Sequence, residues 1–299
     1  EFQGAAHPAQ RGVPLGAGDE VRVFTRPTSD LRTLAGLDVD HVTGDLFDND
    51  AVARAMTGCD VVFHCAVDTR AWLRDPAPLY RTNVEALNSV LDVAARMSLR
   101  KFVFTSTAAT IGRVNGRRAT EDDVFNWAAR APAYVRSRVA AEDLVLRRAQ
   151  DDAVPALAMC VANTYGPGDW QPTPHGAFVA GAALGKLPFT VRGCRAESVG
   201  IDDAAQALLL AADRGEVGER YIVSERSIDT GEIVAIAADT RPPDTALPWF
   251  RRDDVAATSS VVRGAATDTP GASGATVSTV NVRVVSSPSL SSASTSALT

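Results

Sequence analysis

Two side chains near the middle of the chain have the types and the spacing that proton transfer requires. Tyr134 opens a helical run and Arg138 lies one turn further on, so the two share a helix face with about 6 Å between their Cβ atoms. A phenol has an ordinary pKa near ~10, and a fixed cation within a few ångströms favours the phenolate. The pair could therefore form a tyrosine acid/base that works near neutral pH. An ordinary surface pair on an amphipathic helix would explain the same residues. The choice between a catalytic pair and a surface pair therefore depends on the rest of the chain.

The elements that position this pair alternate between strands and helices. The strand-like runs are residues 20–24, 39–43, 61–66, 101–106 and 156–161. The main helical patterns between them are residues 48–57, 78–97 and 134–150. This alternation predicts a doubly wound α/β fold with a parallel sheet covered on both faces. Ligands of such sheets bind beyond the carboxyl ends of the strands, and Thr107 follows the 101–106 strand at such an end.

Composition and charge exclude several classes of function. The chain has 299 residues, of which 45% are hydrophobic, and a formal net charge of −6. This mild acidity gives no reason to expect nucleic acid or an anionic membrane surface as a partner. No apolar run reaches the ~18 residues of a membrane helix, and no signal peptide is visible. The four cysteines form no CxxC pair and the four histidines lack ligand spacing, which predicts a cytoplasmic protein without a metal site.

Six short motifs recur at linked spacing between about Glu20 and Ala238. The motifs are Gly44-Asp45-Leu46, His64-Cys65-Ala66-Val67, Tyr80-Arg81-Thr82-Asn83-Val84, Phe104-Thr105-Ser106-Thr107, Asn163-Thr164-Tyr165-Gly166-Pro167-Gly168-Asp169 and Val199-Gly200-Ile201-Asp202-Asp203. Together they resemble the extended short-chain dehydrogenase/reductase family, which includes nucleotide-sugar epimerases and dehydratases, dihydroflavonol reductases and 3β-hydroxysteroid dehydrogenases. The subgroup that the chain resembles is dihydroflavonol-reductase-like or hopanoid-associated epimerase-like, as Arg26-Pro27 and Asp68-Thr69-Arg70-Ala71-Trp72 suggest.

The resemblance implies a Rossmann-like fold, a nicotinamide coenzyme and hydride transfer to or from a hydroxyl- or carbonyl-bearing small molecule. Nucleotide sugars and dihydroflavonol- or steroid-like compounds are the substrate classes that it suggests. The implied catalytic residues are Thr107, Tyr134 and Arg138. The implied coenzyme-binding residues are Arg26, Asp45, Leu46, Ala66, Asn83 and Arg138, and the implied substrate-binding residues are Asn163, Asp169 and Trp170. Structural roles stay open for Asp45 as a turn cap, Asn83 as a surface helix residue and Thr107 as a β-former.

Coenzyme choice depends on the end of the 20–24 strand. A carboxylate there would accept from the adenosine ribose hydroxyls and repel a 2′-phosphate. The chain has no acid before Asp30 but has Arg26, which could pair with a 2′-phosphate. We therefore favour NADP over NAD, although a solvated loop arginine would look the same in the sequence.

Two departures from the family's pattern bear on activity. The family places lysine at the position of Arg138, which could keep the electrostatic role, but its bulkier, planar head predicts reduced or altered activity. The glycine-rich turn that brings a pyrophosphate to a helix N-terminus is not reproduced by Gly4, Gly12, Gly16 or Gly18. The first strand, which should lie in the middle of the sheet, is missing with it, as in a truncated, scrambled or damaged copy. We expect weak or no dinucleotide binding, and the alternative function is a degenerate, non-catalytic binding or sensing module.

The sequence pattern predicts three parts of the chain. Residues 1–165 are predicted to form the dinucleotide-binding domain, with residues 1–19 atypical, and residues 166–250 a smaller substrate-binding lobe. Residues 251–299 are rich in Ser, Thr, Ala and Val and are predicted to be a disordered tail, although the alternating Val280, Val282 and Val284 could pair as a strand. A homodimer through the helix of Tyr134 is a further expectation from the resemblance.

Overall fold

A computed structural model describes residues 20–151, 153–167, 169, 173–187, 193–239 and 282–286, and it confirms the doubly wound α/β fold. The strands are β1 (Glu20–Thr25), β2 (Asp40–Thr43), β3 (Val61–His64), β4 (Lys101–Thr107), β5 (Ala156–Val161), β6 (Asn163–Tyr165), β7 (Arg195–Gly200), β8 (Arg220–Val223), β9 (Arg226–Asp229) and β10 (Val282–Ser286). The α-helices are α1 (Asn49–Met56), α2 (Ala77–Tyr80), α3 (Leu87–Ala94), α4 (Ala133–Gln150), α5 (Pro174–Ala183), α6 (Ile201–Arg214) and α7 (Thr230–Asp239).

Seven strands form the main sheet in the order β2-β1-β10-β3-β4-β5-β8. Every neighbouring pair is parallel except the two pairs that include β10. All residues of β3 and β5 are buried, as expected of strands that are covered by helices on both faces. The carboxyl ends of the parallel strands therefore meet at one edge of the sheet, and Thr107 ends β4 at that edge.

The core lies in two layers, one on each face of this sheet. On one face, buried residues of α1, α3 and α4 pack against Phe24, Phe102 and Phe104. On the other face, α6 packs against residues such as Phe63 and Leu157. Fully burying one such apolar side chain contributes about 1.5–3 kcal/mol, so these layers fix the orientation of α4, the helix that carries Tyr134.

The helix predicted over residues 78–97 is interrupted by a π-helical segment. It runs as α2, then the π-helical residues Arg81–Ala86, then α3. A wider turn of this kind rotates the side chains that it contains, and such bulges often occur at functional sites. Asn83, which lies in this segment, is buried rather than on the surface.

The smaller sheet has the order β6-β7-β9, and α5 and α7 lie beside it. Strand β6 belongs to this sheet although it precedes residue 166, and β8 returns to the main sheet although it falls within residues 166–250. The two sheets are therefore interleaved along the chain, because the chain crosses between them more than once.

No helix of the described residues is long and apolar enough to cross a membrane.

Five residues of the predicted disordered tail form β10, so the expectation of disorder is wrong for Val282–Ser286. β10 runs antiparallel between β1 and β3, and its residue Val284 lies opposite Arg22 on one side and Val62 on the other. This is the central place expected for the missing first strand. A valine-rich segment has high β propensity, and a central place pairs its backbone on both sides. Residues 1–19, 251–281 and 287–299 lie outside the described residues.

A proline at Val284 tests this pairing. Every N–H of a central strand donates to one neighbour or the other, and proline has no N–H to donate. We expect Val284→Pro to lower the free energy of unfolding in urea by at least ~1 kcal/mol relative to Val284→Thr, which keeps the N–H and the β-branch. Equal unfolding curves for the two variants would contradict the central position of β10.

Candidate active site

Helix α4 starts at Ala133, directly after Pro132, and places Tyr134 in its first turn. Proline is tolerated there because the first N–H groups of a helix have no partner within it. Tyr134 is half-buried, and Arg138, one turn on, is among the most buried large side chains, with 2% of its surface exposed. The two groups interact electrostatically. Arg136, in contrast, is exposed and donates to the carbonyl of Ala131, so it does not share this position.

The buried guanidinium of Arg138 has only part of its hydrogen-bonding capacity filled. Its Nη2 donates to the carbonyl oxygen of Thr105 in β4, and its Cζ lies over the Phe104 ring, 4.7 Å from the ring centroid. Its Nη1 is buried without a hydrogen-bond partner among the described residues. Burial lowers the pKa of Arg138, and the nearby charges of Tyr134 and Glu142 act in the opposite direction. A buried cation with an unfilled donor therefore lies one helical turn from Tyr134.

Thr107 is fixed by the turn that follows β4. Its Oγ1 accepts from the N–H of Ala109 at 3.3 Å, and its carbonyl accepts from the Oγ1 of Thr110 at 2.8 Å. Helix α4 packs on this turn and on β4, and the bond from Arg138 to Thr105 ties the helix to the strand two residues before Thr107. The structure thus brings the elements of Thr107, Tyr134 and Arg138 together at the carboxyl edge of the sheet.

Asn83 connects the loop after β3 to α4. Its Oδ1 accepts from the N–H of Asp68 at 2.7 Å, and its Nδ2 donates to the carbonyl of Asp68 and to the Oγ of Ser137, each at 3.0 Å. Ser137 in turn donates to the carbonyl of Tyr134 at 2.7 Å. Both amide hydrogens of Asn83 are therefore used within the protein, where they hold the first turn of α4. Contact of Asn83 with a coenzyme stays a prediction.

Three further predicted coenzyme residues lie at the same edge of the sheet. Asp45 is exposed, and its Oδ1 accepts from the N–H of Phe47 at 2.9 Å, which is the turn-capping role that the sequence also allowed. Leu46 and Ala66 are buried in the core at the ends of β2 and β3. Gly44 precedes them at a close approach, since a Cβ there would lie 2.8 Å from the Phe24 ring.

Arg26 follows β1 and is close enough to Asp68 to affect its ionisation. Burial alone would raise the pKa of Asp68, but the hydrogen bonds of Arg70 and the charges of Arg70 and Arg26 outweigh burial and lower it. Arg70 donates to Asp68 from Nε at 2.9 Å, and only 1% of the Asp68 side chain is exposed. The two arginines therefore flank a buried carboxylate at the ends of β1 and β3.

A cavity of about 600 Å³ lies between the smaller sheet and α5 and α7. Its apolar wall includes Val179, Ile201, Ile228, Ile233 and Ile236. Of the predicted substrate residues, Asp169 lines it and accepts from the N–H and Oγ1 of Thr173. Asn163 starts β6 immediately before the cavity residue Thr164, and Trp170 lies outside the described residues.

His64, at the end of β3, is a buried neutral histidine. Its ring stacks on Phe102 and Phe104 with centroids 5.9 and 6.1 Å apart, and its Nδ1 has no hydrogen-bond partner among the described residues. Burial, with a smaller contribution from the charge of Arg138, lowers the pKa of His64 to about 3. This environment agrees with the mainly structural role that the sequence suggests.

The sequence reasoning missed a buried carboxylate one turn beyond Arg138. Glu142 accepts from the Oγ of Ser106, from Thr110 and from Arg220, and only 2% of the residue is exposed. The spacing Tyr134, Arg138, Glu142 continues one helix face in steps of four and was the available signal. Among the described residues, no three His, Cys, Asp or Glu side chains are grouped so that they could hold a metal ion.

Comparison with known proteins identifies the family. The model of the NAD dependent epimerase/dehydratase family matches residues 14–224. A Synechocystis protein named as a dihydroflavonol 4-reductase is 31% identical over 245 residues, which are 79% of this chain and 71% of that protein. Sterol demethylase protein B of Methylococcus capsulatus is 29% identical over 228 residues, which are 74% of this chain and 66% of that protein. The chain therefore belongs to the NAD-dependent epimerase/dehydratase family, which confirms the resemblance seen in the sequence.

Solved structures show the same fold. The dTDP-glucose 4,6-dehydratase of Streptomyces venezuelae, solved as a double mutant with NAD bound, aligns with a TM-score of 0.66 at 23% identity. The alignment covers 78% of this chain and 73% of that chain. At 23% identity this likeness supports the Rossmann-like fold alone, and the roles of the site residues are argued from their own geometry.

The described residues offer one unfilled buried donor that a nicotinamide dinucleotide could use. The unpartnered Nη1 of Arg138 is a buried donor one helical turn from Tyr134, and ribose hydroxyls are acceptors of the kind that it lacks. The described residues do not include a glycine-rich turn for the pyrophosphate. The central place between β1 and β3 holds β10, which is antiparallel and therefore has its amino end, Val282, at the edge where the other strands have their carboxyl ends.

The ionisation of His64 gives a pH-dependent prediction. Its folded pKa of about 3 is below the ordinary 6.5, so its contribution to stability is complete above pH 6.5 and is lost as the pH falls towards 3. We expect His64→Phe to weaken the loss of unfolding free energy between pH 6 and 4 by up to ~1.4 kcal/mol per pH unit. Denaturant titrations at each pH measure the free energy of unfolding. The control is His41→Gln, which changes an exposed histidine on β2. Parallel curves for His64→Phe and the unmodified chain would contradict it.

Proposed function

We propose that this chain is a reductase-type oxidoreductase that transfers hydride between NAD(P) and the hydroxyl- or carbonyl-bearing carbon of an apolar small molecule. The observation that carries the proposal is the buried guanidinium of Arg138, with an unfilled Nη1, one helical turn from the half-buried Tyr134 at the carboxyl edge of the sheet. Burying a cation costs several kcal/mol, and nothing in ordinary helix packing requires it. Membership of the NAD-dependent family makes a coenzyme ribose a reasonable acceptor for this donor.

The residues of the chain would divide the chemistry among them. The coenzyme, when bound, supplies or accepts the hydride. In the reducing direction the Tyr134 hydroxyl gives its proton to the substrate carbonyl oxygen as that oxygen gains negative charge, so that an alcohol results. The Thr107 hydroxyl donates a hydrogen bond to the same oxygen. Arg138 stabilises negative charge on Tyr134 after the proton has left, at low local dielectric because it is buried.

The cavity beside the smaller sheet favours an apolar substrate over a nucleotide sugar. It begins at Thr164 and Tyr165, a few residues after β5, and β5 pairs with β4 so that Val161 lies opposite Thr107. Four isoleucines and two valines line it, and Arg226 is its one cationic residue in the described part of the chain. A diphosphate would call for more cations. The relatives named as a dihydroflavonol 4-reductase and a sterol demethylase protein support the same substrate class.

The alternative is a binding or sensing module without turnover. The presence of an antiparallel strand in the central place of the sheet favours it, because a parallel strand there would end in the phosphate-binding turn. Arginine at position 138 in place of the family's lysine favours it as well. The preference for NADP through Arg26, a homodimer through α4 and a cytoplasmic location stay predictions.

Removing one hydroxyl tests the role of Tyr134. We expect Tyr134→Phe to lower kcat for NAD(P)H-dependent reduction of apolar ketones by ~10²–10⁴-fold, since it removes the proton donor and keeps the ring. Stopped assays of alcohol formation over a panel of flavonoid- and steroid-like ketones measure it. The matched control is Tyr80→Phe, a half-buried helical tyrosine. Full turnover by Tyr134→Phe would refute the assignment, and no turnover by the unmodified chain would favour the alternative.

Coenzyme titrations test Arg26. We expect Arg26→Ala to weaken NADPH binding by ~10-fold or more, the value of one charge-assisted hydrogen bond, and to leave NADH binding within ~2-fold. Isothermal titration calorimetry gives both affinities, and Arg32→Ala, an exposed arginine paired with Asp30, is the control. An equal loss for the two coenzymes would show that Arg26 does not read the 2′-phosphate. Absence of saturable binding for either coenzyme would support the non-catalytic alternative.

A further inference from the structure

Glu142 joins four elements of the fold through one buried carboxylate. Its Oε2 accepts from the Oγ of Ser106, from the Oγ1 of Thr110 at 2.8 Å and from the Sγ of Cys160 at 3.4 Å. Its Oε1 accepts from Nη1 of Arg220 at 3.0 Å. Burial and the charge of Glu142 both raise the pKa of Cys160, so that its thiol keeps the proton that it donates. The carboxylate is thus fully bonded, although none of these partners belongs to the candidate catalytic set.

Arg220 extends this network to the loop before α4. It lies on β8, and 18% of its side chain is exposed. Besides Glu142, it donates from Nε to the carbonyl of Glu121 at 2.7 Å and from Nη2 to the carbonyl of Asp123 at 3.2 Å. The Oε1 of Glu121 accepts from the N–H of Ile222 at 2.9 Å, so the loop is held to β8 from both directions. One arginine therefore fixes both the middle of α4 and the loop before it.

The partners of Glu142 lie on either side of Thr107. Ser106 is the residue before it, and Thr110 closes the turn after it by donating to the Thr107 carbonyl. Thr110 has one hydroxyl hydrogen, which it shares between that carbonyl and Glu142. Arg138, one turn before Glu142 on the same face of α4, binds the carbonyl of Thr105. Two opposite charges on one helix face thus hold the end of β4 before and after the candidate catalytic threonine.

We propose that the buried Glu142–Arg220 pair is a positioning element of the candidate active site, which fixes the turn of Thr107 relative to Tyr134. The proposal deepens the proposed function and rests on it for its catalytic consequence. The positioning of the Thr107 turn can be tested even on a chain that shows no turnover. The hydrogen bonds that Glu142 accepts from Ser106, Thr110 and Arg220 support the positioning.

Glu142→Gln tests the charge most directly, because it keeps the shape of the side chain and one acceptor oxygen but removes the negative charge. An amide also places N–H groups where the carboxylate accepted from Ser106 or Arg220, so at least one of those bonds is lost. Ser106→Ala removes a single donor and is the milder variant if the glutamine variant does not fold. Glu219→Gln changes an exposed carboxylate next to Arg220 in the chain and is the matched control.

Hydrogen–deuterium exchange of the full chain provides the first readout. We expect Glu142→Gln to speed exchange ~10-fold or more in peptides covering residues 105–110 and 121–123, with β1 unchanged, and Ser106→Ala to do the same more weakly in residues 105–110 alone. Faster exchange throughout the sheet would show a merely global loss of stability and would overturn the proposal. Unchanged exchange in residues 105–110 would also overturn it.

A ¹⁹F label on tyrosine provides the second readout. The chain has four tyrosines, and Tyr134→Phe assigns the resonance of Tyr134. We expect Glu142→Gln to shift that resonance and to leave the resonance of Tyr80 in place, whereas Glu219→Gln shifts neither. An unmoved Tyr134 resonance would overturn the proposal. These two readouts hold even when the unmodified chain shows no turnover, an outcome that counts against the proposed function alone.

Kinetics supply the catalytic consequence where turnover is present. A positioning role predicts that Glu142→Gln lowers kcat by ~10-fold or more while KM stays within ~3-fold, because the misplaced groups act mainly in the transition state. Arg220→Lys keeps the charge beside Glu142 and is expected to retain more of kcat than Arg220→Gln. A change confined to KM, or equal losses for the two Arg220 variants, would overturn this role.

Discussion

The burial of Arg138 is the constraint on which the site depends. A guanidinium that is 2% exposed needs partners in every direction, and the fold supplies them unevenly. The ring of Phe104 lies next to its Cζ atom, the Thr105 carbonyl accepts one hydrogen bond, and Glu142 provides opposite charge one turn away. The Nη1 of Arg138 is buried without a hydrogen-bond partner among the described residues, and the proposed function assigns it to an acceptor from outside the chain.

The second constraint is the place between β1 and β3. Two strand edges that face each other across a gap expose unpaired N–H and C=O groups, which is costly in the middle of a sheet. β10 removes that cost by pairing with both edges. Its antiparallel direction has a consequence for function, because only a strand that runs parallel to its neighbours brings a carboxyl end, and a turn after it, to the ligand edge. The same strand that completes the sheet therefore stands where a phosphate-binding turn would follow.

Some parts of the site were readable in the sequence because they depend on local spacing. The step of four residues from Tyr134 to Arg138 fixes a shared helix face, and the apolar run before Thr107 fixes a buried strand that ends there. Other parts depend on contacts between distant residues. In the sequence, Asn83 looks like a surface helix residue. In the structure it lies in the π-helical segment, is buried and bonds to Asp68 and Ser137.

By itself, the sequence determined the alternation of strands and helices, the parallel direction of the main strands and the helix face that carries Tyr134, because periodicity and apolar runs are local properties. Only the tertiary structure decided which groups surround Arg138, that Arg220 reaches Glu142 from β8, and that Val282–Ser286 enters the centre of the sheet. These outcomes depend on pairings between residues tens to hundreds of positions apart, for which hydrophobic pattern and propensity give no register. The Arg138 and Tyr134 pair that local spacing indicated is thus held in place by partners that local spacing could not reveal.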